Sequence, residues 1–370
     1  MAVEVSADLV EEILSWVPAK SLPRMKSICK TWETLIAERS FVNKHLSHMR
    51  SREQQFTVFN NVSSSQVSSS LISTVASLGI DFNELEEPNL NLQIIEPLAS
   101  TNILVQSMHH CDGLLLFVLQ TNLLLLNPFL KQARSIKCGN GFDHSVDAYG
   151  IGYISNQSTS FKMVRFRCGA SDDDKDRSRI KVYDFESDRW RVVADKSFDD
   201  FSEFPESSVC LKGTPFWRGY LNGKTFSTIQ SFDFSKERFE TLFLPPSTIG
   251  SSTLGNSLSL GVFRGEKLSL LHRSRLEGKV HLWVMKKHWS KVMTVALPES
   301  AMSPRYASYF IDSNGKLVLS IREINSIKIY ILGKDVECQN VEYSHVNPSV
   351  GGSGCYYVPS LLQVPGFSRR

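Results

Sequence analysis

The chain has 370 residues, of which 42% are hydrophobic and 21% are charged. Its 41 Lys and Arg residues against 38 Asp and Glu residues give a net charge of +3, and this mild balance excludes the strongly basic footprint of a typical nucleic-acid-binding domain. The hydrophobic content is high enough to bury a core, which excludes a mainly disordered chain. All 21 glycines lie between Gly79 and Gly366. We therefore predict a helical head followed by a body rich in turns and strands.

The cysteines and the N-terminus bear on the cellular compartment. Seven cysteines are scattered without a C-x-x-C pair, which predicts neither a disulfide framework nor a zinc site and indicates a reducing compartment. The acidic N-terminus lacks the basic region of a signal peptide. The most apolar stretch, residues 113–130, is interrupted by polar residues and is too short to span a bilayer. We expect a soluble protein of the cytoplasm or nucleus, with no membrane partner.

The first fifty residues have the pattern of three to four amphipathic helices. Ser6 is a predicted N-cap, and apolar residues follow at helical spacing until Pro18 ends the first segment. A second helical stretch begins near Leu22 and continues to about Arg39, and residues 41–46 form a further short helix. Because fifty residues are few for a self-sufficient core, two interpretations remain open. The helices either cap the rest of the chain or form a docking module whose leftover apolar face a partner covers.

The same region resembles a known motif. The stretch VSADLVEEILSWVPAKSLPRMKSICKTWETLIAERSFVNKHL is similar to the F-box over about forty consecutive positions, including the Cys29-Lys30-x-Trp32 identity. Two departures are present, since Val5-Ser6 replaces the opening Leu-Pro pair and Pro23 stands where a second leucine is usual. The Leu-Pro pair helps to dock the adaptor in the family, so the resemblance implies a reduced affinity for the adaptor.

This resemblance implies a substrate receptor of an SCF-type, cullin-RING ubiquitin ligase. The helices would dock on a Skp-family adaptor and, through it, on a cullin scaffold. Some apolar residues of the motif must instead pack the helices together. The residues predicted to bind the adaptor are Leu9, Ile13, Leu14, Val17, Pro18, Leu22, Ile28, Lys30 and Trp32.

The body of the chain contains a β-rich repeat near 50 residues. Three segments align, each with a polar turn between two apolar strands: Tyr183 to Trp190, Phe232 to Phe239, and Leu282 to Trp289. Their spacings of 49 and 50 residues are typical of kelch-type propellers. We predict an α+β multidomain chain with a small all-α F-box module at 1–50, a linker and irregular first blade at 51–98, and an all-β, propeller-like domain of about six blades at 99–368.

The repeat also resembles the F-box-associated interaction domain of plant F-box proteins. The segments GLLLF…LLLLNPFLKQ, YGIGY, VYDFESDRW and YLNG…FDF carry the resemblance, which covers about residues 100–345. It implies that the propeller binds a target protein through loops at one face. The target and its contact residues are not identified by the sequence.

Residues with catalytic or metal-binding potential do not form a recognisable site. Within His109-His110-Cys111, only His109 and Cys111 share a face of a strand, and no second cluster accompanies them, so we predict no metal. The sequence has no P-loop and no G-x-G-x-x-G motif, and we predict no cofactor and no enzymatic activity. The charged segment 171–179 is interpreted as a solvated loop, with a substrate-facing acidic loop as the alternative. Residues 286–288 are a predicted hairpin turn.

Two other functions stay open beside the ligase receptor. One is an F-box-bearing interaction protein that acts outside the ligase, which the Val5-Ser6 departure makes conceivable. The other is a propeller enzyme or sugar-binding module, since kelch-like folds host such functions.

Overall fold

A helical module at the N-terminus precedes a body built from β-strands in the computed structural model. The structure describes residues 6–49, 55–63, 71–81, 89–94, 105–138, 142–143, 146–154, 160–168, 180–194, 208–220, 227–248, 257–298, 307–311, 315–322, 326–333, 339–344 and 354–367. The predicted charged loop at 171–179 lies outside these residues, as does most of the serine-rich loop that the sequence places near residues 63–70.

The module contains four α-helices and one 3-10 turn. The helices are α1 (Ala7–Ser15), α2 (Leu22–Lys26), α3 (Lys30–Ala37) and α4 (Arg39–Met49), and the 3-10 turn is Ala19–Ser21. Ser6 has extended backbone geometry, and its side-chain oxygen accepts a hydrogen bond from the N–H of Leu9 at 3.3 Å. The predicted N-cap is therefore present.

The second predicted helix is interrupted in the structure. Periodicity predicted a continuous helix from about Leu22 to Arg39, but the chain leaves the helix after Lys26. The hydroxyl of Ser27 donates to the Arg24 carbonyl at 2.7 Å, and Cys29 is extended (φ −158°, ψ 159°) as the N-cap of α3. The apolar period continues across the break, which explains why the pattern alone did not reveal it.

The strands form six four-stranded antiparallel meanders, which we call blades 1–6. Blade 1 contains β1 (Gln55–Ser63), β2 (Leu71–Asp81) and β3 (Asn89–Ile94), and blade 2 contains β4 (Val105–Cys111), β5 (Leu114–Leu119), β6 (Asn122–Asn127) and β7 (Gln132–Lys137). Blade 3 contains β8 (Asp147–Ile154), β9 (Ser160–Arg167), β10 (Ile180–Asp184) and β11 (Arg189–Val192), and blade 4 contains β12 (Val209–Leu211), β13 (Thr214–Tyr220), β14 (Ser227–Asp233) and β15 (Arg238–Leu242). Blade 5 contains β16 (Ser257–Phe263), β17 (Lys267–Ser274), β18 (Lys279–Met285) and β19 (Trp289–Ala296), and blade 6 contains β20 (Ala307–Ile311), β21 (Leu317–Arg322), β22 (Ser326–Leu332) and β23 (Gln339–Ser344). The last strand, β24 (Gly354–Tyr357), completes blade 1.

The ring of blades closes between the two ends of the strand-forming chain. β24 pairs with β1 in antiparallel register, with Gln55 opposite Tyr357. The innermost strands β24, β4, β8, β12, β16 and β20 each contact the next, and β20 contacts β24 again. This arrangement confirms the predicted α+β organisation with a propeller of six blades. A closed ring leaves only the short outer edges of the blades unpaired.

The turns between the first two strands of blades 2 and 4 have left-handed backbone geometry at two successive residues. The φ angles are 51° and 85° at Asp112 and Gly113, and 51° and 84° at Lys212 and Gly213. Both turns therefore match the type I′ hairpin, which suits the twist of the flanking strands. A Cβ atom at Gly113 would also collide with the side chain of Ser360, so this position requires glycine.

The turns between the third and fourth strands of blades 2, 3 and 4 share a side-chain cap. Asn127, Asp184 and Asp233 each end the third strand, and each Oδ1 accepts hydrogen bonds of 2.8–3.2 Å from the N–H groups two and three residues later. Four residues after each cap, the backbone has φ of 53°, 57° and 52°, at Lys131, Asp188 and Glu237 respectively. Blades 2, 3 and 4 therefore repeat the same turn conformation, and the residues that form it recur in the sequence.

The two ends of the aligned segments pair with each other in two blades, and the pairing shifts in a third. Aromatic residues lie directly opposite each other in blades 3 and 4, Tyr183 with Trp190 and Phe232 with Phe239. In blade 5 Met285 lies opposite Trp289, and a register shift follows between Leu282 and Trp283. Residues 286–288 form the predicted hairpin turn, which is one residue shorter than its counterparts. The bulge compensates for the shorter turn.

Indole N–H groups tie neighbouring blades together. Nε1 of Trp190 donates to the carbonyl oxygen of Lys137 in blade 2 at 3.1 Å, and Nε1 of Trp289 donates to the carbonyl oxygen of Phe243 beside blade 4 at 2.8 Å. Trp289 is the first residue of the fourth strand of its blade, and Trp190 is the second. Phe239 holds the corresponding position in blade 4 and has no N–H to donate.

Arginines of the fourth strands reach carboxylates in the next blade. Arg134 in blade 2 contacts Asp188 at 2.7 Å and also donates to the carbonyl oxygen of Pro365 at 2.6 Å. Arg191 in blade 3 makes a bidentate ion pair with Glu237 in blade 4. This pair adds to a buried indole bond between the same two blades, in which Nε1 of Trp217 donates to the carbonyl oxygen of Tyr149 at 2.8 Å.

The C-terminal segment, residues 358–367, is fixed by buried amide side chains of blade 2. Nδ2 of Asn127 donates to the carbonyl oxygens of Ser360 at 2.9 Å and Leu362 at 2.7 Å. Oε1 of Gln132 accepts from the N–H of Val364 at 2.9 Å. Since Asn127 is 0% exposed and also caps its own turn, one side chain satisfies four buried backbone groups.

Two cysteines join the inner strands of blades 2 and 4. β4 and β12 pair in parallel at His110 and Val209, and the adjacent Cys111 and Cys210 form a disulfide with a Cα–Cα separation of 5.2 Å. The scattered cysteines predicted no disulfide framework, and this single pair was not anticipated. The two residues lie 99 positions apart, so the contact arises from the closure of the ring.

Among the residues that the structure describes, no helix combines the length and the apolar character that crossing a membrane would require.

We predict that Asn127→Ala destabilises the chain by about 2–4 kcal/mol, because it leaves several buried backbone groups without a hydrogen-bond partner. The measurement is the midpoint of urea unfolding of the full chain. Asn122→Ala on the same strand is the control, since Asn122 makes one exposed bond to Ser135, and we expect it to cost less than about 1 kcal/mol. Equal costs for the two variants would contradict the anchoring role of Asn127.

Candidate functional site

Helix α1 has two apolar faces, one buried and one exposed. Leu14 is 2% exposed, and the partly buried Val10 and Val17 pack with it against the core. On the other side Leu9 and Ile13 are 51% and 55% exposed. A helix that packs by one apolar stripe normally presents polar residues on the opposite face. The second apolar stripe is therefore a candidate docking surface.

The break between α2 and α3 adds a further residue to this exposed apolar set. Ile28 is 60% exposed and lies between the end of α2 and the N-cap Cys29. A continuous helix would have kept Ile28 in the helical period. Because the chain is extended at Cys29, Ile28 instead lies in the connection between the two helices.

The nine residues predicted to bind the adaptor occupy different environments. Leu14 and Leu22 are buried and belong to the core of the module. Val17 and Trp32 are partly buried and pack against the same core. The exposed members are Leu9, Ile13, Pro18, Ile28 and Lys30. The structure thus places four of the nine in or against the core, and adaptor binding by the exposed five stays a prediction.

Trp16 belongs to the exposed surface although it was not among the predicted residues. It is 43% exposed and follows Leu9 by seven positions and Ile13 by three, which is the spacing of one helical face. Its ring stacks on the imidazole of His48 at 3.9 Å between centroids, with an interplanar angle of 10°. The helical spacing from Leu9 was the signal in the sequence that identifies it. We call Leu9, Ile13 and Trp16 the apolar face.

Ion pairs hold α1 against α4 behind the apolar face. Nζ of Lys44 lies 3.1 Å from Glu11 and 2.9 Å from Glu12. Nε1 of Trp16 donates to Oε1 of Glu12 at 2.9 Å. This hydrogen bond and then the one from Lys44 lower the pKa of the Glu12 carboxyl, while the bonds to Glu12 and Glu11 raise the pKa of Lys44. The network fixes the orientation of the Trp16 ring.

The other side of the module is joined to the propeller. His45 is 1% exposed, and its Nε2 lies 2.9 Å from the carbonyl oxygen of Val17, so the imidazole donates there. Burial lowers the pKa of His45. A single buried cluster contains Phe41 and Leu46 of α4 together with Leu362 of the C-terminal segment and residues of blades 2 and 3. The apolar face therefore points away from a body on which the module is packed.

His109 and Cys111, which share a face of the strand, are both bonded within the fold. Nδ1 of His109 accepts from the N–H of Ser208 at 3.2 Å and lies 2.9 Å from its hydroxyl, and Nε2 lies 3.1 Å from the hydroxyl of Ser107. Cys111 is bonded to Cys210. Within the described ranges, no group of three His, Cys, Asp or Glu side chains is arranged to hold a metal ion.

Polar groups at the end of the inner strands are also bonded within the fold. Nε2 of His110 accepts from the N–H of Gly113 at 2.9 Å, and the Tyr153 hydroxyl donates to Asp112 at 2.7 Å. His110 and Asp112 line a narrow cavity with Cys210 and Lys212. The hydrogen bonds assign His110 and Asp112 to turn geometry.

Because the imidazole of His109 is buried, we predict that the folded chain loses stability in acid. Burial lowers its pKa to about 3, whereas an unfolded histidine titrates near 6.5. Below about pH 6.5 the unfolded chain binds a proton that the folded chain does not, so stability falls as pH decreases toward 3. His109→Gln should flatten the pH dependence of the unfolding free energy between pH 6 and 4 by about 1.4 kcal/mol per pH unit. The exposed His288→Gln is the control, and an unchanged slope in His109→Gln would contradict this assignment.

The two faces of α1 should respond differently to truncation. We expect Leu14→Ala to destabilise the chain by about 2–5 kcal/mol because it leaves a cavity in the core. Ile13→Ala, its neighbour on the exposed face, should change stability by less than about 1 kcal/mol. Urea unfolding followed by far-UV circular dichroism measures both. The assignment of faces is wrong if the costs are equal or reversed.

Comparison with known proteins assigns both parts of the chain. The profile of the F-box domain matches residues 6–44, and that of the F-box associated beta propeller domain matches residues 64–364. F-box/WD-40 repeat-containing protein 1 of Arabidopsis thaliana is 30% identical over 392 residues, covering 97% of this chain and 88% of the relative. Putative F-box only protein 9 of the same plant is 29% identical over 382 residues, covering 98% and 96%. The chain therefore belongs to the family of F-box proteins that carry an F-box associated beta propeller domain.

Proposed function

We propose that the chain is the substrate-recognition subunit of an SCF-type ubiquitin ligase. Its helical module docks on a Skp-family adaptor and, through the adaptor, on a cullin scaffold. Its propeller binds the target protein. The observation that carries the proposal is the apolar face, where Leu9 and Ile13 are each more than half exposed on a module that already has a buried core. Half-exposed aliphatic side chains grouped on one surface of α1 fit a helix-in-groove partner.

In this role the chain contributes binding and orientation, and the bond-forming chemistry belongs to partner enzymes. Holding a target beside a charged enzyme raises the effective concentration of the reacting groups, which accounts for a large effect on rate without a catalytic side chain. Such a subunit would act in the cytoplasm or the nucleus, where the ligase and its targets meet.

Ser6 bears on the alternative that the protein acts outside the ligase. The family has a Leu-Pro pair where this chain has Val5-Ser6. Ser6 caps α1 through its hydroxyl, so the departure supplies a helix cap. If the missing pair weakened docking below a functional level, the module would still fold. A folded full chain that does not bind the adaptor would therefore favour a function outside the ligase.

The binding experiment uses the full chain and a purified Skp-family adaptor. We expect the wild-type chain to retain the adaptor, and Leu9→Glu/Ile13→Glu to weaken binding at least tenfold, because charges would be buried against an apolar groove. Binding is measured by isothermal titration calorimetry.

Leu276→Glu is the matched control, because Leu276 is 76% exposed in the turn between β17 and β18 of blade 5. It should bind the adaptor as the wild type does. If the wild-type chain does not bind the adaptor, the ligase proposal fails and the function outside the ligase is favoured. If both variants weaken binding equally, the apolar face is not the docking surface.

A further inference from the structure

Blade 5 holds more positive charge than the entire chain. Residues 257–298 contain eight Lys and Arg residues against two Glu residues, which gives +6, whereas the chain as a whole carries +3. The remaining residues therefore carry −3. The small net charge of the whole chain therefore includes a local excess of positive charge on one blade of the propeller.

The lysines of this blade are not neutralised by nearby carboxylates. In blade 4, Nζ of Lys236 lies 3.2 Å from both Asp233 and Glu240. In the described part of blade 5, five lysines are exposed and none has a carboxylate within ion-pair distance. They are Lys267, Lys279, Lys286, Lys287 and Lys291. Unpaired lysines leave a positive potential at this surface.

Lys267 lies on β17, and the other four lysines follow the hairpin of β18 and β19 from end to end. Lys279 begins β18, and Lys286 and Lys287 lie in the turn to β19. Lys291 lies opposite Trp283, with its Nζ 5.4 Å from the centre of the indole ring. Because Lys279 and Trp283 are four residues apart on one strand, Lys279 and Lys291 share a face of the sheet. The cations extend over about 20 Å, the length of seven strand residues.

Exposed apolar groups and an open strand edge lie beside these lysines. β19 is the last strand of its sheet, so no described strand pairs with its outer edge. Val292 on β19 is 38% exposed, and Phe243 is 64% exposed next to Trp289, which donates to its carbonyl. A bound segment would find backbone hydrogen-bonding groups, aliphatic and aromatic contacts, and cations on the same hairpin.

We propose that the hairpin of β18 and β19 binds an extended, carboxylate-rich segment of a protein partner. Asp and Glu side chains would pair with the lysines, while apolar residues of the segment contact Val292 and Phe243. If the proposed ligase function holds, this segment belongs to the target. Lysines on an edge strand also prevent aggregation, and a surface that serves only this purpose would bind no segment.

The test uses the full chain and a defined probe, a fluorescein-labelled peptide of alternating Glu and Val with about 12 residues, enough to span the hairpin. We expect saturable binding by fluorescence anisotropy that weakens as NaCl rises from about 50 to about 300 mM. Lys287→Glu/Lys291→Glu should weaken binding about tenfold or more. Lys287→Arg/Lys291→Arg should retain it, because the charge is kept.

The control reverses the same amount of charge on another blade, with Lys131→Glu/Lys137→Glu in blade 2, and should leave peptide binding within about twofold of the wild type. Equal losses in both double variants, or no binding by the wild type, would overturn the proposal. Tighter binding of single-stranded DNA of equal charge would overturn it in favour of nucleic acid. Adaptor binding is measured on the same preparations, so failure of the ligase proposal is distinguished from failure of this one.

Discussion

Closure of the ring at blade 1 is the constraint on which the rest of this structure depends. A four-stranded blade cannot bury both faces alone, so each blade relies on a neighbour at either side. Blade 1 takes its innermost strand from the C-terminus, where β24 pairs with β1 and also contacts β4 and β20. The segment after β24 then continues to blade 2, where Asn127 binds two of its carbonyls. Closure and anchoring of the C-terminal segment are therefore one continuous set of contacts.

The same segment connects the propeller to the helical module. Leu361, Leu362 and Val364 lie in a buried cluster with Leu22 and Phe41 of the module. About fifty residues provide little core of their own, and the cluster supplies the missing partner surface. Of the two initial interpretations, the structure confirms the cap on the chain, and the docking module stays a prediction. One face of the module packs on the chain, and the face with Ile13 remains exposed.

Features determined by local sequence could be predicted, and those determined by long-range contact could not. The Ser6 cap, the approximate number of blades and the polar turn between Tyr183 and Trp190 follow from residue type and spacing over short stretches of sequence. The Cys111–Cys210 bridge joins residues 99 positions apart, and no pattern within either strand indicates it. The long-range role of Asn127 is equally hidden. Its turn cap is local, but its hydrogen bond to Leu362 spans 235 residues.

The candidate site was predictable in part for the same reason. Helical spacing identified the apolar residues of α1, but a helix with apolar residues on both faces does not reveal which face the rest of the chain covers. That choice depends on α4 and the C-terminal segment, which bury Leu14 and leave Ile13 exposed. Trp16 lies within the helical segment predicted to end at Pro18, and its spacing from Leu9 and Ile13 was a signal that the sequence offered.

The arrangement also relates the two proposed binding surfaces to each other. The apolar face lies on a module that shares its core with blades 2 and 3, and the lysines lie on blade 5 of the same closed ring. Ties such as the Arg191–Glu237 pair and the Trp289–Phe243 bond link the outer strands between blades 3 and 5. An adaptor at one surface and a target at the other would consequently be held at a fixed separation. A receptor without catalytic groups acts through such a fixed geometry, because its contribution to the rate is the position of the target.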